Sequence, residues 1–282
     1  MKLGRFSAAG QAFLGRVDGD RMISITAKFP QAGDHMEWLI ENWQSTRSVV
    51  AALTEPVFAL SHVEVLAPIA RPGKILGIGL NYKDHIAESA LETPKHQVWF
   101  SKAGTSVAGP FDPILRPAVS KALDYEAELV FVVGRRCKHV PAERATDAIF
   151  GYCVGNDVSV RDWQMRTTQF MMGKTFDTHA PFGPWITTAD EVDANALELR
   201  ALVNGEIRQR FNTANMVFDC AAQIAHLSQA MTLEPGDIVF TGTSSGVGGL
   251  MKPPRFLRPD DVVRIEIDSL GAIENRVVQE TI

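Results

Sequence analysis

Apolar and polar positions alternate with a period of two along much of this chain, and only a few stretches carry the three-to-four spacing of a helix. Residues 11–17 and 21–25 read as strands turning at Asp18-Gly19-Asp20. Residues 38–53 carry a helical stretch. Segment 67–73, Ala-Pro-Ile-Ala-Arg-Pro-Gly, reads as a linker because two prolines and a glycine break any regular element. It divides a small N-terminal domain, 1–66, from a larger domain, 74–282. In that larger part, 74–80 reads as a buried strand and 81–90 as a short helix. Residues 129–133 are continuously apolar, as in a strand covered on both faces. Pro141 suits the first turn of a helix reaching residue 150. Residues 152–157 are strand-like, and Ser159 can cap a helix starting at Val160. Strands 199–203 and 207–211 flank Asn204-Gly205, a pair suited to a type I′ hairpin turn. Asp219 can cap a helix to Met231 with Ile224, Leu227 and Met231 on one face. Stretches 238–241, 262–267 and 273–278 complete the strands. The pattern predicts an α+β chain that is mostly β.

Composition narrows the function. The 282 residues are 45% hydrophobic and 22% charged, with a formal charge of −5. No run of Lys and Arg stands out, which argues against nucleic-acid binding. No stretch approaches the roughly 20 apolar residues of a membrane span. The N-terminus lacks a charged-then-apolar signal pattern, so a cytoplasmic protein is expected. Cys137, Cys153 and Cys220 are far apart and form no CxxC pair; buried, reduced thiols are expected.

The candidate chemistry lies in four segments. In DYEAELVFVVG, 124–134, strand alternation puts Glu126 and Glu128 on one face, continued by Val130 and Val132. Adjacent carboxylates on a partly buried face resist ionisation, and a cation would compensate both. Asp157, ending GYCVGND, can supply a third oxygen. Carboxylates without Cys or His favour a hard ion, Mg²⁺ or Mn²⁺, over zinc. The plain alternative is an edge strand with solvated acids, which spacing alone favours. His85 and Glu88 share a helix face in GLNYKDHIAES, and a carboxylate-oriented imidazole suits a general base. A surface ion pair is the alternative there. Arg161 and Gln164 share a face, and Lys174 follows Gly173, where a close backbone approach is possible. These suit a substrate carboxylate or enolate; solvated helix charges are the alternative. TGTSSGVGG, 241–249, suits a loop closing around a ligand. Its Gly242-Thr243-Ser244-Ser245-Gly246 matches the G-x-S-x-G serine-hydrolase elbow, but that chemistry needs a later His, and the last one is His226. Gly77-Ile78-Gly79 lacks the third glycine of a dinucleotide fingerprint.

Seven segments taken in order are more specific: GIGLNYKDHIAE, DYEAELVFVVGR, GYCVGNDVSVRDWQ, GKTFDTHAPFGPW, NTANMVF, PGDIVFTGTSSGVG and KPPRFL. Over residues 74–277 they resemble the fumarylacetoacetate hydrolase family, in particular its acylpyruvase-like branch. The resemblance implies a mixed β-sandwich roll with a small N-terminal domain. It implies Mg²⁺, Mn²⁺ or Ca²⁺ on Glu126, Glu128 and Asp157. It places Arg161, Gln164, Lys174 and Thr243 toward substrate, and Lys174 also among the catalytic groups. It makes His85 and Glu88 a catalytic dyad on a short lid helix. A homodimer acting on a small 2-oxo acid is also implied.

The implied activity is metal-dependent hydrolysis of a C–C bond in acylpyruvate-type 2,4-dioxo acids, such as fumarylpyruvate or maleylpyruvate, through a stabilised enolate. The same enolate serves oxaloacetate decarboxylation or tautomerisation, and the family includes isomerases of unsaturated 2-oxo diacids. Fold alone does not choose among these. A 2-oxo acid binding module with a silent dyad is the non-enzyme alternative. Two positions depart from the family pattern. Thr243-Ser244-Ser245 replaces the commoner Thr-Pro-Pro or Thr-Pro-Ala, and Asp260-Asp261 stands where Gly-Asp is usual.

Overall fold

A computed structural model describes residues 1–90 and 92–281. Among the described residues, twelve strands join one mixed sheet. Its spine runs Val57–Ala59, Arg21–Ser24, Gln11–Asp18, Lys2–Ala8, Ala180–Thr188, Ile149–Asn156, Ala127–Val133, Ile238–Phe240, Ile75–Gly79, Val98–Lys102. A five-stranded sheet lies against one face, in the order Glu206–Asn212, Glu198–Val203, Val262–Ile267, Gly271–Gln279, Ile114–Arg116. This is the mostly-β, mixed-sheet fold expected.

The 127–133 strand separates two cores. Leu129, Phe131 and Val133 pack with the five-stranded sheet and with the Cys220–Ala230 helix. Val130 and Val132 pack on the other side with Leu14, Leu39, Phe150 and Phe240. Both faces are covered, which is why the run is apolar without alternation. Residues 1–66 add to the same sheet: Lys2 pairs opposite Thr187 and Leu3 opposite Ile186. Their Leu3, Leu14, Met36 and Leu39 share a cluster with Ile75 and Val130. Segment 67–73 thus connects strands of one continuous ladder.

Several local expectations hold. Asn204 and Gly205 have φ of 52° and 80°, as a type I′ turn requires. The Asp219 carboxylate accepts the Ala222 N–H at 2.7 Å and caps the helix. Others are corrected. Residues 38–53 form two helices, Met36–Glu41 and Trp43–Ala52, because Asn42 turns between them and its amide donates to the Trp38 carbonyl. Pro141 stays extended and precedes a 3₁₀ helix, Ala142–Ala148, rather than opening an α-helix. Ser159 caps no helix: with Val160 it pairs with Leu123–Asp124, which keeps the backbone extended until Arg161. Met231 is the C-cap of the Cys220–Ala230 helix rather than its last turn, and it packs against the same core as Ile224 and Leu227. Asp260 has φ of 73°, a left-handed conformation that accounts for glycine being usual there and that Asp tolerates better than most residues. Cys153 and Cys220 are buried, Cys137 is half-buried, and all three are free thiols. No helix among the described residues is long and apolar enough to cross a membrane.

Candidate active site

Strand register brings the three acids together. Ala127 pairs opposite Asn156, so Glu126 and Asp157 are neighbours just past the ladder, and the Asp157 N–H donates to the Glu126 carbonyl at 3.0 Å. Glu128 lies two residues further in on the same face. One oxygen from each carboxylate lies within 4.8 Å of the others. Glu126, Glu128 and Asp157 are only 5%, 1% and 0% exposed. The strand is paired on both sides, which overturns the reading of solvated acids on an edge.

Buried cations interleave with these acids. Lys174 Nζ donates to Glu126 at 2.6 Å and to Asp157 at 2.8 Å. Arg161 donates through Nε to Asp124 at 2.8 Å, and through Nη1 to Glu126 at 2.6 Å and to Gln164 at 2.9 Å. Its Nη2 is buried and has no hydrogen-bond partner among the described residues. Lys174 reaches this wall because Gly173 touches the Gln164 backbone; a Cβ there would sit 2.4 Å from the Gln164 nitrogen. The close approach expected at Gly173 is therefore present. Burial alone would lower the Lys174 pKa, but Asp157 and Glu126 outweigh it and keep the ammonium charged. Burial would likewise raise the Glu126 carboxyl, yet Lys174 and Arg161 hold it well below the ordinary range.

Glu128 is different. Its Oε2 accepts the Gly242 N–H at 2.7 Å, and it makes no ion pair with Lys or Arg among the described residues. Burial, then the charges of Asp157 and Glu126, push its carboxyl well above the ordinary range. Gly242 can present that N–H because φ of 95° suits only glycine well, and a Cβ would meet Asn81 at 2.8 Å. With every group ionised, the buried carboxylates of Asp124, Glu126, Glu128 and Asp157 face the buried Lys102 and Lys174 and the half-buried Arg161, leaving one negative charge over. That excess, with three convergent hard oxygens, fits a divalent cation: at metal–oxygen distances of about 2.0–2.6 Å, ligand oxygens lie up to about 5 Å apart.

His85 sits in the Lys83–Glu88 helix, with Nδ1 3.7 Å from Glu88 Oε2. Nδ1 is buried and has no hydrogen bond. Glu88 accepts the Gly246 N–H through both oxygens, at 3.2 and 3.1 Å. Asn81 anchors the start of this segment: its amide donates to the Phe218 and Thr241 carbonyls, and its oxygen accepts the Phe218 N–H. A cavity of about 380 Å³ is lined by His85, Glu126, Arg161, Gln164, Lys174 and Thr243 together with apolar side chains. Glu88, Glu128 and Asp157 are not among its lining residues. The Thr243 hydroxyl donates to the Ala127 carbonyl at 2.8 Å and accepts from the Gln209 amide at 2.9 Å, so it fixes the loop against the strand that carries Glu128.

Sequence reasoning missed two charged groups. Lys102 is 4% exposed and its Nζ contacts Asp157 at 2.5 Å; burial lowers its pKa despite that partner. Asp124 accepts the Gly248 and Gly249 N–H groups and Arg161 Nε, each at 2.8 Å. The signal for both was alternation. Asp124, Glu126 and Glu128 are spaced by two, and Lys102 continues the face of Val98 and Phe100.

Comparison with known proteins agrees with this geometry. A family profile described as fumarylacetoacetate (FAA) hydrolase, C-terminal, matches residues 74–278. The chain belongs to the fumarylacetoacetate hydrolase family. It is 44% identical over 267 residues to oxaloacetate tautomerase fahd2, mitochondrial, of Xenopus laevis, covering 93% of this chain and 84% of that one. It is 42% identical over 267 residues to fumarylacetoacetate hydrolase domain-containing protein 2 of Pongo abelii, covering 93% of this chain and 85% of that one. Maleylpyruvate hydrolase from Sphingobium sp. SYK-6, in complex with manganese(II) and pyruvate, superposes with a TM-score of 0.83 at 35% identity over all of both chains. A 5-carboxymethyl-2-hydroxymuconate delta-isomerase from Mycobacterium smegmatis superposes at 0.82 and 34% identity, again over all of both chains.

Proposed function

We propose that this chain is a divalent-metal-dependent enzyme interconverting the keto and enol forms of oxaloacetate and related 2-oxo acids. The observation that carries this reading is one cavity lined by His85, Glu126, Arg161 and Lys174, with the Arg161 Nη2 left without a hydrogen-bond partner among the described residues. The names of the tautomerase relatives point the same way.

Glu126, Glu128 and Asp157 would hold the ion, Mg²⁺ or Mn²⁺ by their all-oxygen character, with Ca²⁺ as a chemically admissible third. When bound, the ion supplies Lewis-acid stabilisation of negative charge at the substrate's 2-oxo oxygen. The protein's own groups do the rest. Arg161 Nη2 takes the substrate carboxylate, because its other two nitrogens are already spent on Asp124, Glu126 and Gln164. His85, oriented by Glu88, takes the proton from C3; the C–H pair becomes the C2–C3 double bond. Lys174 donates a hydrogen bond to the oxygen where charge develops. Thr243 and Gln164 hold the loop and Arg161 in place. The test is deuterium incorporation at C3 of oxaloacetate in heavy water, above the uncatalysed rate, with and without chelator. No metal-dependent enhancement refutes the reading.

A second reading is C–C hydrolysis of an acylpyruvate. It is favoured by the likeness to the maleylpyruvate hydrolase and by an imidazole that can equally activate water. Release of pyruvate from maleylpyruvate or fumarylpyruvate measures it directly. The proposal includes a homodimer, tested by light scattering. It also includes a cytoplasmic location, tested by fractionation against the mitochondrial location in the relatives' names.

A further inference from the structure

Resting on the reading of His85 as the base, we infer that Tyr125 is a positioning residue whose hydroxyl sets where the imidazole stands relative to the carboxylate triad, acting through the Gly246 backbone and Glu88. Two hydrogen bonds and one short contact make the connection. The Tyr125 hydroxyl donates to the Gly246 carbonyl at 2.9 Å. The Gly246 N–H donates to both oxygens of Glu88, at 3.2 and 3.1 Å. Glu88 Oε2 then lies 3.7 Å from His85 Nδ1. Each link is single. Among the described residues no other donor reaches the Gly246 carbonyl, and no other hydrogen bond reaches the Glu88 carboxylate. Tyr125 directly precedes Glu126 in the chain, so the path starts from the segment that presents the acids.

The loop is stitched to that segment in antiparallel order. Asp124 accepts the Gly248 and Gly249 N–H groups, Tyr125 holds Gly246, and the Ala127 carbonyl accepts the Thr243 hydroxyl. The Tyr125 stitch falls on the residue that Glu88 grips. Gly246 has φ of 97°, and a Cβ there would overlap the carbonyl oxygen of Arg208 in the Glu206–Asn212 strand. Its backbone is therefore pressed against that strand in a conformation that favours glycine. With one side of the turn fixed in this way, the direction of the N–H follows from where the C=O is held. Releasing the C=O leaves the N–H less firmly aimed at Glu88. The Tyr125 ring is fully buried in the larger core, which gives the hydroxyl a fixed mount. Phenylalanine would fill the same space, so the hydroxyl can be removed without emptying the core.

The experiment compares the full chain and Tyr125→Phe, both with added Mg²⁺ or Mn²⁺. It follows metal content, oxalate affinity, amide exchange in residues 83–88, and kcat and KM for C3 deuterium incorporation into oxaloacetate. Metal content and oxalate affinity should match the parent, because the triad, Arg161 and Lys174 are untouched. Amide exchange in the helix should quicken, as expected when one of its few tethers is lost. The kcat should fall about two- to tenfold, the worth of one neutral hydrogen bond. KM should stay within about twofold, the pattern of an interaction that matters in the transition state rather than in binding. In a Glu88→Ala background the same substitution should change kcat little, since no link to His85 remains. Tyr125→Met, which also lacks a strong donor, serves should the phenylalanine variant fail to fold. Unchanged kcat in a folded variant overturns the inference while leaving the enolisation reading standing. So does unchanged amide exchange, or a kcat loss that is as large without Glu88 as with it. A parallel loss of metal and of oxalate affinity overturns it too, since Tyr125 would then support the fold at large. No metal-dependent turnover in the parent overturns both.

Discussion

Glu88 grips the Gly246 N–H with both carboxylate oxygens, at 3.2 and 3.1 Å, and so ties the helix that carries His85 to the glycine-rich loop that carries Thr243. One side chain therefore does two things. It places a carboxylate 3.7 Å from the imidazole Nδ1, and it fastens the His85 helix to the Gly246 backbone.

Separate variants resolve these roles. His85→Ala should cost about 10²–10⁴-fold in the rate of C3 deuterium exchange, as loss of a general base does, with metal content and oxalate binding kept. Glu88→Gln keeps an oxygen for the Gly246 N–H but loses the charge beside His85. It should cost less than His85→Ala. Amide exchange in residues 83–88 should slow when oxalate binds with Mg²⁺, since a lid orders over its ligand. Unchanged exchange rates in all three experiments would remove this helix from the mechanism.

The three acids should not behave alike. Asp157→Ala leaves Lys102 without its carboxylate and weakens the hold on Lys174. Uncompensated buried charge of that kind costs about 3–5 kcal/mol, so metal and stability should fall together. Glu128→Gln removes the one acid lacking a cation partner. The metal-free protein should then be as stable as the parent or more so, while metal content and activity are lost. Metal analysis and thermal melts on both variants check this. A metal-free Glu128→Gln protein that melts far below the parent contradicts it.

Glu128 also sets a pH dependence. Its folded-state carboxyl lies well above the ordinary range because of burial and the neighbouring Asp157 and Glu126 charges. The folded state then binds a proton more readily than the unfolded state. Its contribution to stability is fully present at low pH and is lost as pH rises through the raised value. The metal-free melting temperature should accordingly decline above the ordinary carboxylate range, and saturating Mn²⁺ should remove the decline. Ion binding should displace about one proton, visible by calorimetry in buffers of different ionisation heat. A flat metal-free profile would mean that Glu128 is ionised without an ion.

Much of this was written locally. The alternation in DYEAELVFVVG placed Glu126 and Glu128 on one face, and Asn204-Gly205 specified its hairpin through the turn alone. What was not legible depends on partners distant in sequence. The acids are buried because the 127–133 strand is flanked by strands 149–156 and 238–240, a fact no window around Glu126 contains. Ser159 has the chemistry of a cap, but pairing with Leu123–Asp124 outcompetes it. Residues 11–17 read correctly as a strand, yet the pairing of strand 2–8 onto strand 180–188 spans most of the chain and left no local mark. Lys102 was overlooked because a lysine ending an apolar strand ordinarily marks the solvent boundary. Here it ends against Asp157 instead.

Asp124 gives the most selective test of how substrate is held. Each of its oxygens accepts two donors: Oδ1 from the Gly248 and Tyr125 N–H groups at 2.8 and 3.0 Å, Oδ2 from Gly249 N–H and Arg161 Nε, both at 2.8 Å. Asparagine offers one acceptor and one amide group, so two of the four donors would face another donor. The loop at 248–249 and the Arg161 guanidinium could not both stay in place. Asp124 lies outside the carboxylate triad, so metal content should hold in Asp124→Asn. KM for a 2-oxo acid should rise about tenfold or more, the loss expected when a charged donor is misaligned, with a smaller change in kcat. Arg161→Lys should raise KM in the same way, because lysine cannot span Asp124, Glu126 and a substrate carboxylate together. The double variant should be little worse than either single one, since both break the same arm. Loss of metal at unchanged KM would instead place Asp124 among the ligands. Additive losses in the double variant would show that Asp124 acts on something other than Arg161.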